Sequence, residues 1–167
     1  MEPRTHDERR AAALEVLDGF MAGEHDPERS ARAMTRRNGA LGTFAVDVVM
    51  GDVWARPQLS RRDRSLIVIS VLATIGSTEE LSQHTLIGLN NGLERDEIEE
   101  ILLHVAVYAG FPMAMQASRV VDERFCLIDG IDRQPAREAA ALRGDLERRA
   151  DACDVRRTLT DGRSDPD

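Results

Sequence analysis

The sequence predicts an all-α protein, a compact bundle of about six core helices. Apolar residues recur every three or four positions through most of the chain, which is the spacing of one helix face. Aromatic residues make up only 4% of the 167 residues, so the core depends on aliphatic side chains that pack well between helices. Glycine, proline and capping residues separate the apolar segments. These three observations favour a helical bundle over a β-sandwich.

The first half of the chain carries three apolar segments with helix boundary signals. Ser60 with Asp63 three residues later resembles a capping box, and Gly76 is suited to end the helix that follows. That helix is apolar on nearly every side, which predicts burial. The three predicted segments are His6–Met21, Phe44–Trp54 and Ser60–Ile75.

Three further helices are predicted in the second half. Asn91-Gly92 is a strong turn signal, and the acidic residues from Asp96 onward suit the start of a helix because its dipole favours negative charge there. Gly110 ends that helix, and Pro112 can occupy the first turn of the next one. The predicted extents are Ser77–Asn90, Asp96–Ala109 and Pro112–Ile128.

The domain organisation follows from the composition along the chain. We expect a single all-α domain over residues 1–134 and a charged C-terminal extension over 135–167 that is partly disordered, because its Arg, Asp and Glu content leaves little to bury. The helices carry more apolar surface than one small bundle can cover. A homo-oligomer is therefore expected.

Charge and residue usage exclude several classes of function. The net charge of −8 argues against a nucleic-acid-binding protein, which needs a basic face. All 22 basic residues are arginine, so no lysine can form a Schiff base. Cys126 and Cys153 form no metal or dithiol motif, and no dinucleotide, phosphate-loop or zinc motif is present. We expect a cytoplasmic protein that needs no cofactor, metal or membrane.

Glu80 and His84 form the first candidate site. They stand four residues apart in a predicted helix and therefore share a face. A carboxylate beside an imidazole can orient it and raise its pKa, which suits proton transfer near neutral pH. The alternative is structural: Glu80 completes a capping box with Ser77, and His84 is a packed or surface histidine.

Two other groups of residues could contribute to a site. His104 and Tyr108, again four apart, could donate protons or hydrogen bonds into a pocket, or could simply fill space between helices. The arginines that follow Trp54 could bind a carboxylate in bidentate fashion, or could form a solvated charged stretch. The members of this second group are Trp54, Arg56, Arg61, Arg62 and Arg64.

Three segments, taken in order, resemble the carboxymuconolactone decarboxylases. Residues 54–66, W-A-R-P-Q-L-S-R-R-D-R-S-L, are similar to that family's W-x-R-P-G-L-S-x-R-x-R-S-L segment. Residues 80–84, E-L-S-Q-H, resemble its E-L-x-x-H. Residues 91–112 resemble its N-G-L/V turn followed by E-I-x-E-x-L-L-x-x-A-x-Y-x-G-x-P. The similarity covers about residues 44–121.

The resemblance implies an alkylhydroperoxidase-D-like helical fold, a trimer or hexamer, and decarboxylation of 4-carboxymuconolactone, a small anionic lactone. The redox branch of this superfamily carries C-x-x-C-x-x-x-H, but Ser77 and Glu80 occupy the two cysteine positions here, so thiol chemistry is excluded at this site. The substrate's own lactone carbonyl can accept the electrons. His84 would supply a proton, Glu80 would orient it, and Tyr108 would stabilise the oxyanion. Trp54, His104 and the arginines would bind substrate.

Three departures from the family pattern leave the substrate open. Gln58 replaces a glycine, Met115 replaces an asparagine, and Glu94 stands where a threonine usually caps a helix. One alternative is an enzyme of a biosynthetic pathway that performs proton transfer, isomerisation or decarboxylation on another substrate. Another is a non-catalytic, oligomeric ligand-binding protein.

Overall fold

All the regular secondary structure in residues 4–130, the part of the chain that the computed structural model describes, is helical. The all-α prediction is confirmed for these residues. The predicted extension over 135–167 lies outside them, and the domain boundary at residue 134 stays a prediction. The elements are α1 (His6–Phe20), α2 (Pro27–Phe44), a π-helix (Ala45–Trp54), α3 (Arg61–Ile75), α4 (Thr78–Asn90), α5 (Arg95–Tyr108) and α6 (Phe111–Ile128).

The chain divides into two units, the first ending at Phe125 and the second beginning at Cys126. Of the second unit, only the end of α6 and the turn to Gly130 are described, and the Gly130 amide donates to the Leu127 carbonyl at 3.3 Å there. The core clusters, the candidate site and the cavities all lie in the first unit.

The predicted helix boundaries of α3 are confirmed. The Ser60 hydroxyl accepts a hydrogen bond from the Asp63 amide at 3.0 Å, which satisfies one of the free amides in the first turn. Gly76 ends the helix in the left-handed conformation with φ of 74°, where a side chain would be strained. At α5, Glu94 forms a capping box with Glu97, so this departure from the family pattern still caps the helix.

The segment between α1 and α3 differs from the prediction. No helix was predicted between Met21 and Phe44, but most of these residues form α2, which is broken at Gly39 with φ of 57° and ψ of −130°. The apolar stretch after it is a π-helix, so its backbone is wound more widely than an α-helix. This helix packs closely on α1, because a Cβ atom added at Gly51 would lie 2.6 Å from the carbonyl oxygen of Arg9.

Three clusters of buried side chains make up the core. The largest joins α3, α4, α5 and α6, and a second joins α1, α2 and the π-helix. The third consists of Val16, Phe20 and Trp54, and it also contacts Val68 on α3 and Ile87 on α4. This third cluster therefore joins the N-terminal helices to the α3–α6 bundle. Between Arg4 and Gly130, no helix is both long and apolar enough to cross a bilayer.

We predict that Gly51→Ala destabilises the protein. The added methyl group would overlap backbone atoms of α1, which cannot move aside as a side chain can, so we expect a loss of about 1–3 kcal/mol in the free energy of unfolding. Gly19→Ala is the matched control, since a methyl group there meets only the end of the Arg61 side chain. Urea denaturation of both variants tests this, and equal stabilities would contradict it.

Candidate active site

His84 lies where α4 meets α1 and the π-helix. Its imidazole stacks on the Trp54 ring, with centroids 6.3 Å apart and an interplanar angle of 24°. The Phe20 ring presents an edge to it at 6.4 Å and packs against Trp54 at 4.6 Å. The rings of Phe20 and Trp54, from two elements distant from α4 in sequence, thus lie against the imidazole of His84. We call these three residues the aromatic enclosure.

One nitrogen of His84 has no partner. Among the described residues, nothing hydrogen-bonds to the buried Nδ1 atom. Leaving a buried polar atom unsatisfied costs about 1–3 kcal/mol. Because buried polar groups are nearly always paired, such an exception calls for an explanation, and a site that a ligand completes is one. The residue as a whole is half-buried, so part of its surface is open to solvent.

Glu80 lies one helical turn before His84 and is exposed. The Ser77 hydroxyl donates a hydrogen bond to its carboxylate. Ser77 is the N-cap residue of α4, but its side chain makes no capping hydrogen bond to the backbone, so the capping-box alternative is not realised in full. The bond from Ser77, a bond from the residue's own amide and attraction to His84 lower the pKa of Glu80, which keeps it ionised.

The expectation that Glu80 raises the pKa of His84 is wrong in its net effect. Burial disfavours the charged imidazolium and lowers the pKa of His84, and attraction to the Glu80 carboxylate offsets only part of this. The helical spacing correctly placed a carboxylate nearby. It could not show that the aromatic enclosure removes water from the imidazole, which is the larger effect. His84 is therefore mainly neutral at pH 7.

Three of the predicted arginines lie in different environments. Arg62 forms an ion pair with Glu97 on α5 and thereby joins α3 to α5. Arg64 donates a hydrogen bond to the backbone oxygen of Arg56 at 2.8 Å, while its buried Nε has no partner among the described residues. Arg56 is exposed and donates from Nε to Gln58 at 3.3 Å.

His104 and Tyr108 lie together on α5. Their rings stack at 6.4 Å, and the Tyr108 side chain is 85% exposed. The His104 Nδ1 atom lies 2.9 Å from the Glu100 carbonyl oxygen. Within residues 4–130, no ring contact joins either residue to His84. Their predicted roles stay predictions.

Sequence reasoning missed Phe20 as a neighbour of His84. Phe20 was recognised only as an apolar position of the first helix, because nothing in the local pattern shows which distant ring it contacts. Arg61 was one of the arginines considered for carboxylate binding but was not distinguished from the others; its guanidinium group lies against Gly19, next to Phe20. Gly19 is a glycine inside a helix, which is a signal of a close approach by another group.

The described residues contain no group of three or more His, Cys, Asp or Glu side chains arranged to hold a metal ion. Cys126 is a free cysteine. The expectation of a site without metal or cofactor stays a prediction.

These features define an all-helical protein with a half-buried histidine, a nearby carboxylate and an aromatic enclosure. The sequence model of the carboxymuconolactone decarboxylase family matches residues 39–123. The chain is 35% identical over 119 residues to 4-carboxymuconolactone decarboxylase of Acinetobacter baylyi, covering 71% of this chain and 88% of that protein. It is also 37% identical over 95 residues to nitrosuccinic acid decarboxylase of Metarhizium robertsii, covering 57% and 64% respectively.

The chain therefore belongs to the carboxymuconolactone decarboxylase family. Both relatives are named decarboxylases, and the class of enzyme is accordingly a carboxy-lyase.

We predict that His84 makes the stability of the folded protein depend on pH. Because burial lowers the pKa of His84 below its usual 6.5, the unfolded chain binds a proton before the folded protein does. The contribution of neutral His84 to stability is complete above about pH 6.5 and is lost as the pH falls toward the folded-state pKa. As the pH is lowered from 8 to 5, the stability of the parent protein relative to the His84→Gln variant should therefore decline. Thermal unfolding of both proteins measures this difference.

A proton NMR titration of the imidazole measures the same quantity directly. A midpoint at or above the usual histidine value, or a stability difference between parent and variant that stays constant over this range, would contradict the prediction.

Proposed function

We propose that this protein decarboxylates 4-carboxymuconolactone or a closely related activated carboxylic acid, with His84 delivering a proton to carbon. The observation that carries the proposal is the buried, unpartnered Nδ1 of His84 within the aromatic enclosure. Family membership and the two decarboxylases among its relatives support the reaction class.

The substrate chemistry accounts for a site built from ordinary side chains. In 4-carboxymuconolactone the departing carboxylate sits on a carbon conjugated through a C=C bond to the lactone carbonyl. When CO2 leaves, the electron pair of the broken bond moves to the carbonyl oxygen as a dienolate. A proton added to a ring carbon then restores the lactone carbonyl. The protein must bind the anion, stabilise the dienolate oxygen and supply the proton.

The aromatic enclosure suits the first of these steps. A carboxylate is stabilised by water, and its negative charge moves from the carboxylate group into the dienolate as neutral CO2 forms. Apolar walls such as Phe20 and Trp54 displace that water, so they destabilise the carboxylate more than the transition state. The same walls lower the pKa of His84 in the free protein. Binding of an anionic substrate adds negative charge beside the imidazole, which raises its pKa and favours uptake of the proton that is later delivered.

Other residues have supporting roles in this proposal. Glu80, held by Ser77, orients the imidazole and attracts its positive charge. Arg56 and Trp54 both line a cavity between α1, the π-helix and α3, where Arg56 can contact an anionic substrate. Arg64 positions the backbone at Arg56, whereas Arg62 is already neutralised by Glu97. Stabilisation of the dienolate by Tyr108, with His104 beside it, requires that these exposed side chains meet the site through a second copy.

A second candidate substrate is a nitro acid, which similarity to nitrosuccinic acid decarboxylase favours. In nitrosuccinic acid a nitro group on the carbon that carries the departing carboxylate can accept the electron pair as a nitronate. In both reactions the electron acceptor is therefore part of the substrate. In both, the protein must bind the anion and supply the proton. Incubation of the purified protein with each acid, followed by measurement of CO2 release, separates the two candidates.

We predict that His84→Gln lowers kcat by about 10²-fold or more, the scale of a lost proton donor. Glu80→Gln should cost less, because the donor remains. Glu79→Gln is the matched control, since it removes an exposed carboxylate one position away on α4. Steady-state kinetics on the preferred acid measure the effect. The kcat of the parent should also fall as the pH rises above the pKa of His84 in the substrate complex.

Thermal melts must first show that the variants fold. If His84→Gln is folded and turns over the substrate at the parent rate, His84 is a structural residue, and the proposal fails in its mechanism.

We also propose that the protein is a homo-oligomer, a trimer or a hexamer. Large apolar side chains are exposed along α3 at Ile67, Val71 and Ile75, and across α5 and α6 at Val107 and Phe111. Contiguous apolar surface of this kind is uncommon on monomers.

Light scattering at micromolar concentration should therefore give a mass of three or six times 18.5 kDa. A mass of one chain would contradict the proposal.

A further inference from the structure

A second feature lies directly beside the aromatic enclosure. A cavity of about 200 Å³ is bounded by α1, the end of the π-helix and the start of α3. Trp54 forms one of its walls and also stacks on His84, so the cavity and the candidate site share a side chain. The charged residues that line it are Arg4, Glu15, Arg56 and Arg61.

The cavity is cationic, since three arginines face one carboxylate. Arg4 is already engaged, since it donates to the backbone oxygens of Gly51 and Ala55, whereas exposed Arg56 uses only its Nε atom, to donate to Gln58. The Arg61 side chain makes neither a hydrogen bond nor an ion pair with any other described residue, although its backbone oxygen accepts a hydrogen bond from the Ser65 hydroxyl at 3.1 Å. It is half-buried, and its guanidinium group lies against α1 at Gly19.

Gly19 allows this position of Arg61. A Cβ atom at residue 19 would overlap the Nη1 atom of Arg61, so any larger residue would displace the guanidinium group. Residue 20, the next in the chain, contacts His84 through its ring. Arg61 is therefore linked to the candidate site in two ways, through Gly19 and Phe20 on α1 and through Trp54 across the cavity.

We propose that Arg61 binds the carboxylate that the substrate retains after decarboxylation. This inference rests on the proposed function. Both candidate acids carry two carboxylates, of which one leaves and one remains. The leaving carboxylate is better placed among apolar rings, which destabilise its charge, whereas the retained one needs a cation. An arginine offers a planar pair of donors that matches a carboxylate. A site that combines the apolar aromatic enclosure with a cationic cavity is therefore suited to a substrate with two carboxylates.

Succinate is a probe that requires no turnover. Isothermal titration calorimetry should show succinate binding to the parent protein and about 10–100-fold weaker binding to Arg61→Gln, the range for a lost hydrogen bond to a charged group. Gly19→Ala should also weaken binding, because it displaces the guanidinium group without removing its charge. Arg36→Gln, which removes an exposed arginine from α2, is the matched control and should bind as the parent does.

Steady-state kinetics on whichever acid the parent enzyme decarboxylates provide the second measurement. Arg61→Gln should raise KM by about 10–100-fold and change kcat by less than a few-fold, because the retained carboxylate is the same in the ground state and the transition state. A parent enzyme that is active, with a folded Arg61→Gln variant of unchanged KM and succinate affinity, overturns the inference and leaves the proposed function standing. A parent that decarboxylates neither acid but binds succinate through Arg61 overturns the proposed function alone.

Discussion

The contact among the rings of Phe20, Trp54 and His84 determines how the two halves of this fold meet. The N-terminal helices and the α3–α6 bundle each have their own apolar core, and the third core cluster connects them. Phe20 is held from the other side as well, because the Asn90 side chain donates to its backbone oxygen at 2.7 Å. The position of the imidazole is thus fixed by the packing of the whole domain rather than by α4 alone.

This arrangement places two opposing influences on one imidazole. The aromatic walls favour its neutral form, and the Glu80 carboxylate favours its charged form. An imidazole under two opposing influences can gain a proton when an anionic ligand binds, because the added negative charge raises its pKa. The unsatisfied Nδ1 atom shows that this balance carries a cost in stability, as is common at functional sites.

Sequence patterns predicted the local structure well and the tertiary contacts poorly. The cap at Ser60 and the left-handed Gly76 follow from rules that involve only neighbouring residues. The stacking of Trp54 on His84 joins residues thirty positions apart, so the two could be identified separately as candidates but not placed together. The direction in which the pKa of His84 is shifted was mispredicted for the same reason, since the burial of the imidazole depends on that distant contact. Arg61 could be named only as one of several arginines, because a local pattern does not show which of them reaches Gly19.

The π-helix adds a constraint that concerns chain length rather than residue type. Its hydrogen bonds reach one residue further along the chain than those of an α-helix, as in the bond from the Ala55 amide to the Met50 carbonyl at 3.2 Å. Loss of a single residue from Ala45–Trp54 would let ordinary α-helical pairing return. Such a shift turns every later side chain by about 100° around the helix axis. Relatives that differ by one residue in this segment would therefore present a different side chain to the histidine, and with it a differently shaped site.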